Sequence, residues 1–164
     1  MIINGSVFVF KDNVDTDQIY PGRYLEITDP SEISKHCMEG VDPDFHKKIK
    51  KGDVIVAGKN FGCGSSREHA AITLKYAGIS AIIAESFARI FYRNAINMGL
   101  CLLVSHGISN EIDEGDEVTI DVQNGTLLNK TKEKHIECDK VSDYFLEVIK
   151  HGGIKNLIKK NNGE

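Results

Sequence analysis

Residues 58–70, GKNFGCGSSREHA, combine a flexible backbone with side chains that could hold or react with a ligand. Three glycines let a ligand approach the backbone closely, and the adjacent Ser65 and Ser66 offer two hydroxyl groups. Arg67 follows them near the predicted start of a helix, where the backbone dipole favours anions over cations. A bound anion would remove this conflict, because backbone N–H groups and a guanidinium could then hold it together. The loop is therefore a candidate site for a substrate that carries a carboxylate.

The same residues also fit a purely structural role. Ser65 and Glu68 have the spacing of a capping box, in which both side chains accept hydrogen bonds from free N–H groups at a helix start. Glycines are common between a strand and a helix as well. A cap needs only one hydroxyl, however, and it leaves Arg67 unexplained. The anion site therefore accounts for more of the loop.

Two common nucleotide-binding patterns do not fit this loop. A phosphate-binding loop requires Ser or Thr after its lysine, but Lys59 is followed by Asn60. A dinucleotide-binding loop requires a third glycine, and Arg67 occupies that position. ATP and NAD are therefore weaker candidates than a small carboxylate ligand.

The segments on both sides of the loop predict alternating strands and helices. A short apolar strand precedes the loop, and a helix from about Ser66 to Gly78 follows it. A second apolar strand, an amphipathic helix that ends at Gly99 and a third apolar strand come next. This order is a βαβαβ unit, which predicts a parallel sheet. The three strands are VIVA (54–57), AIIA (81–84) and LCLLV (100–104).

The remaining segments complete an α/β fold in one domain over residues 1–164. A strand is predicted at 6–10. Helices are predicted to start at Asp29-Pro30 and Asp42-Pro43, because a capping side chain precedes a proline in each pair. Three later segments and an Asn124-Gly125 turn predict an antiparallel excursion beside the partly parallel core. These segments are EVTIDV (117–122), TLLN (126–129) and HIEC (135–138), and an amphipathic helix follows at 141–149.

Composition and charge restrict the classes of partner. Lys and Arg number 20 against 24 Asp and Glu, a net charge of −4, which offers no basic surface to nucleic acid. The first ten residues lack the basic flank and apolar run of a signal peptide. No apolar stretch approaches the roughly 18 residues that span a membrane. We therefore expect a cytoplasmic protein that binds neither nucleic acid nor membrane.

The four cysteines do not predict a metal centre within this chain. Cys37, Cys63, Cys101 and Cys138 are far apart, and no pair has the CxxC or CxxxC spacing of zinc or iron–sulfur sites. Cys101 and Cys138 are expected to be buried as small apolar residues. Cys63 lies in the glycine loop, but a nucleophilic role would require a base partner that the sequence does not identify.

Three of these motifs together resemble a known family. GKNFGCGSSREHA, AIIAESFARIFYRNAINMGL and the earlier DTDQIYPGRYL are similar, in order and spacing, to the small subunits of 3-isopropylmalate dehydratase. The similarity extends over almost the whole chain. It implies the β/β/α-type swivelling domain of the aconitase superfamily, working as part of a hydro-lyase of leucine biosynthesis. It also implies a large-subunit partner, in a heterodimer or heterotetramer, that carries a [4Fe-4S] cluster.

The resemblance assigns roles to residues of the glycine loop. Ser65 matches the serine that acts as a base and removes a proton from a carbon next to a carboxylate. Such a serine needs its alkoxide stabilised, and N–H groups at a helix start together with a guanidinium can do so. Ser66 and Arg67 match groups that bind a carboxylate of the substrate.

Several other residues are candidates for a supporting role in the same site. They are Asp15, Thr16, Asp17 and His69. The resemblance brings the DTD segment close to the active site, although turn and cap roles explain its three residues as well. His69 lies four residues beyond Ser65, so on a helix it could face the loop. Arg89 and Arg93, spaced i,i+4, are either a solvated or salt-bridged helix face or a contact with the partner subunit.

The resemblance also implies a specificity loop beside the variable substituent of the substrate, formed here by Tyr24, Leu25, Glu26 and Ile27. Homoaconitase-type relatives carry an arginine in this loop to pair with a third carboxylate, whereas isopropylmalate-type relatives carry apolar residues. No arginine follows Tyr24 in this chain, and Leu25 and Ile27 could cover an alkyl group. Glu26 would repel an added carboxylate if it pointed inward. Isopropylmalate is therefore favoured, and citramalate, 2,3-dimethylmalate and homoaconitate are the alternatives. A non-catalytic anion-binding or RNA-binding module is a further class, and the net negative charge argues against RNA.

Overall fold

A computed structural model of the chain describes residues 1–163, and a seven-stranded mixed sheet runs through it. The strands are β1 (Ile2–Val9), β2 (Val54–Ala57), β3 (Ala81–Ala84), β4 (Leu102–Val104), β5 (Glu117–Asp121), β6 (Thr126–Asn129) and β7 (Lys134–Glu137). Their order across the sheet is β4-β3-β2-β1-β5-β6-β7, so β1 joins a parallel half to an antiparallel half. This mixed α/β architecture confirms the predicted fold class.

Helices cover the sheet and connect its parallel strands. They are α1 (Thr16–Ile19), α2 (Pro30–Ser34), α3 (Phe45–Lys48), α4 (Glu68–Ala77), α5 (Arg89–Asn97), α6 (Asp143–Lys150) and α7 (Ile154–Asn161). Helix α2 packs against α4, α4 against α5, and α5 against α6. Within residues 1–163 no helix has the length and apolar character needed to cross a membrane.

The parallel half of the sheet contains the predicted βαβαβ unit. Every residue of β2 and β3 is buried, as expected for parallel strands that are covered on both faces. Helix α4 connects β2 to β3, and α5 connects β3 to β4. Strand β1, predicted at 6–10, pairs in parallel with β2 and so adds a fourth parallel strand, and this pairing was not predicted. It also begins earlier than the predicted residue 6, because residues 2–6 pair with the antiparallel β5.

The antiparallel half consists of β5, β6 and β7, as predicted. Val118 and Ile120 of β5 and Leu127 of β6 are buried, while their neighbours along each strand are more exposed. The one buried polar residue of β6, Asn129, donates from Nδ2 to Asp116 at 2.8 Å. This half extends the sheet away from the glycine loop.

The helix ends show where local sequence signals were sufficient. Helix α4 ends at Gly78, whose φ of +101° is left-handed, and α2 begins after Asp29, whose carboxylate accepts the Ser31 N–H; both ends are as predicted. The predicted start at Asp42-Pro43 is wrong, since α3 begins at Phe45. The Asp42 carboxylate instead accepts the Asp44 N–H at 3.0 Å, which forms a turn before the helix.

Candidate functional site

The glycine loop lies at the carboxyl end of β2, where open parallel sheets commonly bind ligands. Backbone hydrogen bonds hold it against the segment that follows β1: Gly62 N–H donates to Val14 at 2.7 Å, and Thr16 N–H donates to Cys63 at 2.8 Å. The hydroxyl of the buried Thr16 also donates to the Ser65 carbonyl at 2.9 Å. The loop and the DTD segment therefore form one structural unit.

Gly62 allows the loop to lie directly on α5. Its φ of +85° is left-handed, and a Cβ at this position would lie 2.2 Å from Cγ of Phe91. No side chain fits into that space without displacing the helix. Phe91 in turn packs edge-on against Phe61 of the loop, with ring centroids 5.4 Å apart. This contact fixes the distance between the loop and α5.

A cleft of about 480 Å³ opens between the glycine loop and α5. Its polar lining includes Ser65, Ser66 and Arg67 on one wall and Arg89, Arg93 and Asn94 on the other, together with Thr16 and Asn60. Both serines are exposed, and within residues 1–163 their hydroxyls make no hydrogen bond. The structure thus brings the three predicted residues of the loop together, with their hydroxyls available to a ligand.

Helix α4 begins at Glu68, two residues later than predicted, with Arg67 at the cap position and no side chain capping the helix. The capping box between Ser65 and Glu68 is therefore not formed, and that structural interpretation is wrong. The Thr16 hydroxyl on the Ser65 carbonyl helps to keep the chain extended up to Arg67. Among residues 1–163 the N–H groups of Ser66, Arg67 and Glu68 have no protein acceptor. These N–H groups and the helix dipole make the helix start favourable for negative charge.

Arg67 already has an anionic partner within the chain. Its Nη1 donates to Asp17 at 2.7 Å and to the Tyr20 carbonyl at 3.2 Å. The hydrogen bond from Arg67, and then that from the Gly22 N–H, hold the pKa of Asp17 below its ordinary value. The sequence argument that Arg67 requires an external anion is therefore wrong, because it overlooked Asp17. A role for Arg67 in carboxylate binding stays a prediction.

The predicted specificity loop is held on both sides. Two residues before Tyr24, the Gly22 N–H donates to Asp17, the partner of Arg67, at 2.8 Å. At the other end Nε2 of His69 donates to the Ile27 carbonyl at 2.9 Å, and the imidazole stacks on the Tyr20 ring at 5.3 Å. His69 thus contacts Ile27 and Tyr20 rather than the serine hydroxyls, and its supporting role in the site stays a prediction.

The side chains of the specificity loop do not line the cleft. Tyr24 donates from its hydroxyl to Glu39 at 2.7 Å and stacks on His36, with ring centroids 3.7 Å apart. Burial opposes ionisation of Glu39, but its hydrogen bonds outweigh that effect and keep its pKa below the ordinary value. Leu25 is 40% exposed, and Glu26 is also exposed. Because Tyr24 is held in this way, the side chains of Leu25 and Glu26 lie at the surface.

Asp15 has a local structural role. Its carboxylate accepts the Gln18 N–H at 2.7 Å, and the Gln18 side chain accepts the Asp15 N–H at 3.0 Å, which is a complete capping box at α1. Of the DTD segment, Asp15 therefore orders the turn, Thr16 holds the glycine loop and Asp17 holds Arg67.

Comparisons with known proteins agree with this architecture. Residues 43–106, which include the glycine loop and α5, match the family model described as Aconitase C-terminal domain. The chain is 52% identical over 163 residues to the 3-isopropylmalate dehydratase small subunit of Clostridioides difficile, covering 99% of this chain and 100% of that protein. The chain belongs to the family of 3-isopropylmalate dehydratase small subunits. A crystal structure of 3-isopropylmalate dehydratase from Methanocaldococcus jannaschii matches this family member with a TM-score of 0.94 at 52% identity, covering 99% and 96% of the two chains.

Overall identity does not distinguish the substrates of these dehydratase relatives. The "Methanogen homoaconitase small subunit" of M. jannaschii is also 52% identical, over 160 residues that cover 98% of this chain and 93% of that protein. Overall identity therefore does not assign a substrate to this dehydratase family member.

Sequence reasoning missed the α5 wall of the cleft in this dehydratase small subunit. Arg89, Arg93 and Asn94 face the serine loop across it, and Asn60 lies at its edge. The spacing of the two arginines on one helix face was visible in the sequence. Their position opposite the serines depends on how β3 and α5 pack, which no local pattern reports.

The potential metal ligands of this dehydratase small subunit are not grouped together within residues 1–163. Within residues 1–163 no group of three or more His, Cys, Asp or Glu lies close enough to hold a metal ion. Cys37, Cys101 and Cys138 are buried, which confirms the prediction for the last two. Burial raises the pKa of the first two thiols to about 12 and that of Cys138 to about 11, so none is a ready thiolate ligand.

Proposed function

We propose that this chain, as one aconitase-type swivel domain over residues 1–164, is the small subunit of an active 3-isopropylmalate dehydratase. It associates with a large subunit in a heterodimer or heterotetramer, in the cytoplasm, and a small dicarboxylate binds between the two. The reaction interconverts 2- and 3-isopropylmalate through isopropylmaleate in leucine biosynthesis. One observation carries this proposal. Within residues 1–163, two serine hydroxyls without a hydrogen bond lie beside N–H groups without a protein acceptor, in a cleft of a chain that is 52% identical to a dehydratase small subunit.

Ser65 is the base of the reaction in this proposal. A serine hydroxyl holds its proton tightly, so its alkoxide must be stabilised by nearby positive charge. The free N–H groups of Ser66, Arg67 and Glu68, at the positive end of α4, supply that stabilisation. The proton then passes from the carbon next to a substrate carboxylate to Oγ of Ser65.

Ser66 and Arg67 bind the carboxylate of the substrate. Nη1 of Arg67 donates hydrogen bonds to Asp17 and to the Tyr20 carbonyl, so the Nη2 and Nε donors are left for the ligand. Because the arginine is held before the substrate arrives, little ordering remains when the carboxylate binds. Asp17 therefore acts as a positioning residue for Arg67.

The departing hydroxyl group requires a Lewis acid, which a [4Fe-4S] cluster of the large subunit supplies in this proposal. The residues of this chain do not fit such a cluster. The cysteines at 37, 101 and 138 are buried, and among residues 1–163 Cys63 belongs to no group of three or more potential metal ligands. The cluster is therefore assigned to the partner.

Isopropylmalate is the proposed substrate because the exposed part of the specificity loop offers Leu25 and Glu26 and no arginine. Burial of an alkyl substituent improves the binding free energy by about 0.8 kcal/mol for each methylene-sized group. The carboxylate of Glu26 disfavours a third substrate carboxylate.

The second candidate is another substituted malate. A relative of M. jannaschii that is 52% identical over 163 residues carries the name "Isopropylmalate/citramalate isomerase small subunit", so citramalate is the alternative to test first, before 2,3-dimethylmalate and homoaconitate.

Anaerobic copurification tests the proposal. A tagged form of this chain should retain a large subunit whose iron–sulfur absorbance survives purification, and the complex should convert isopropylmalate faster than the three alternative substrates. The chain alone should be colourless and inactive. Activity of the isolated chain, or a complex that prefers homoaconitate, would contradict the proposal.

A further inference from the structure

Arg89 and Arg93 form an unpaired cationic pair on α5. They lie one helical turn apart, both are exposed, and within residues 1–163 neither has a carboxylate within 4.0 Å. Glu85, the nearest acidic residue before them in sequence, is engaged elsewhere and accepts the Gly107 N–H at 2.9 Å. Like charges at this spacing repel each other, so the isolated chain tolerates an unfavourable arrangement here.

The surface around this pair is partly apolar. Ile90, the residue after Arg89, is 55% exposed and contributes to the wall of the serine cleft. On the other side of α5, both arginines border a second groove of about 290 Å³ that contains the aromatic side chains of Phe87, Tyr92 and Phe145. Exposed apolar groups, aromatic rings and arginines together are typical of protein interfaces.

The position of this surface indicates which partner would cover it. Under the proposed function, on which this inference rests, the large subunit completes the active site around Ser65. Helix α5 forms the opposite wall of the same cleft, so a chain that reaches the serine must also approach α5. We propose that the α5 face, consisting of Arg89, Ile90 and Arg93, is a docking surface for the large subunit. The partner presents carboxylates to the two arginines and an apolar side chain to Ile90.

Direct contact of the arginines with substrate is the main competing explanation. A dicarboxylate in the cleft has a second carboxylate, and both arginines line that cleft. Two observations favour docking. The arginines also border the aromatic groove outside the cleft, and the exposed apolar Ile90 on the same wall offers nothing to a carboxylate.

Charge reversal at both arginines separates these explanations. Association of this chain with the purified iron–sulfur large subunit is measured by sedimentation, without substrate, over a range of salt concentrations. R89E/R93E should weaken association at least about tenfold at low salt, because the interaction of a close charge pair across an interface changes the affinity by that factor or more. R89K/R93K should restore most of the affinity and the salt dependence. Circular dichroism verifies that each variant is folded.

A matched control reverses two exposed lysines outside both concavities, Lys130 in the turn after β6 and Lys159 on α7. K130E/K159E should change the affinity less than about twofold, because exposed charges outside the docking surface interact with it only through solvent and salt. Unchanged association of R89E/R93E would overturn the docking surface. A raised KM with unchanged association would also overturn it and would assign the arginines to the substrate. If the wild-type chain does not bind the large subunit, the proposed function itself fails, and the two failures are distinguishable.

Discussion

Truncation of Ser65 to alanine separates a catalytic serine from a structural one. The Ser65 side chain is exposed and its hydroxyl makes no hydrogen bond within residues 1–163, while Arg67 occupies the cap position of α4. Loss of a capping serine would cost about 1 kcal/mol of folding stability. Ser65→Ala removes no such contact, so the free energy of unfolding should change by less than about 0.5 kcal/mol, as for other surface substitutions.

The effect on turnover should be far larger. A positioned general base contributes about 10²- to 10⁴-fold to a rate. Since each factor of ten corresponds to about 1.36 kcal/mol, Ser65→Ala should raise the barrier by about 2.7–5.4 kcal/mol. The assay compares kcat for isopropylmalate at saturating large subunit with the free energy of unfolding in urea. The structure thus predicts a large loss of activity in a chain of unchanged stability.

Ser66→Ala is the matched control, since Ser66 is a neighbouring exposed serine on the same loop. It removes a proposed binding group and not the base, so KM should rise more than kcat falls. Turnover of Ser65→Ala within about threefold of the wild type would refute the assignment of the base. Equal effects of the two substitutions on kcat would refute the division of roles between the serines.

Four further predictions concern single residues. Arg67→Lys keeps the charge but loses the planar pair of donors, so kcat/KM should fall at least about tenfold with little change in unfolding; wild-type kinetics would argue against carboxylate binding by Arg67. Asp17→Asn removes a carboxylate whose pKa lies below the ordinary value of 3.8. A lowered pKa contributes stability that is complete above the ordinary value and is lost as pH falls through the folded value. The difference in unfolding free energy between Asp17→Asn and the wild type, at most about 1 kcal/mol because the Asp17 side chain is 67% exposed, should therefore shrink below pH 3.8. Iodoacetamide should label Cys63 first in the native protein, because the other three thiols are buried with raised pKa values, and mass spectrometry that found equal labelling of all four would contradict this. Glu26→Arg should narrow the preference of the complex for isopropylmalate over homoaconitate in kcat/KM, and an unchanged ratio would exclude Glu26 from substrate choice.

Strands and helix ends that depend only on neighbouring residues are predicted well from the sequence. The runs VIVA and AIIA are short and apolar, and two buried parallel strands follow directly from that composition. Gly78 ends α4 because its left-handed backbone is local to one residue. The start of the same helix was misplaced, because the Thr16 hydroxyl, 49 residues away, holds the Ser65 carbonyl.

The candidate site was predicted less completely because its contacts join distant parts of the chain. The pairing of Arg67 with Asp17 spans 50 residues, and that of His69 with Ile27 spans 42. Neither pair has a periodic or short-range signature. The sequence identified the DTD segment and the serine loop separately, but their assembly into one unit required the register of the strands that precede them.

The central claim is that this chain supplies half of an active site for isopropylmalate. The most direct test is the initial rate of 3-isopropylmalate conversion as this chain is titrated into a fixed amount of the iron–sulfur large subunit. We predict no rate with either protein alone, a rise on mixing, and a plateau when the two are present in equal molar amounts. A rate with this chain alone would contradict the claim, as would the absence of any rate on mixing with a large subunit that is active with another small subunit.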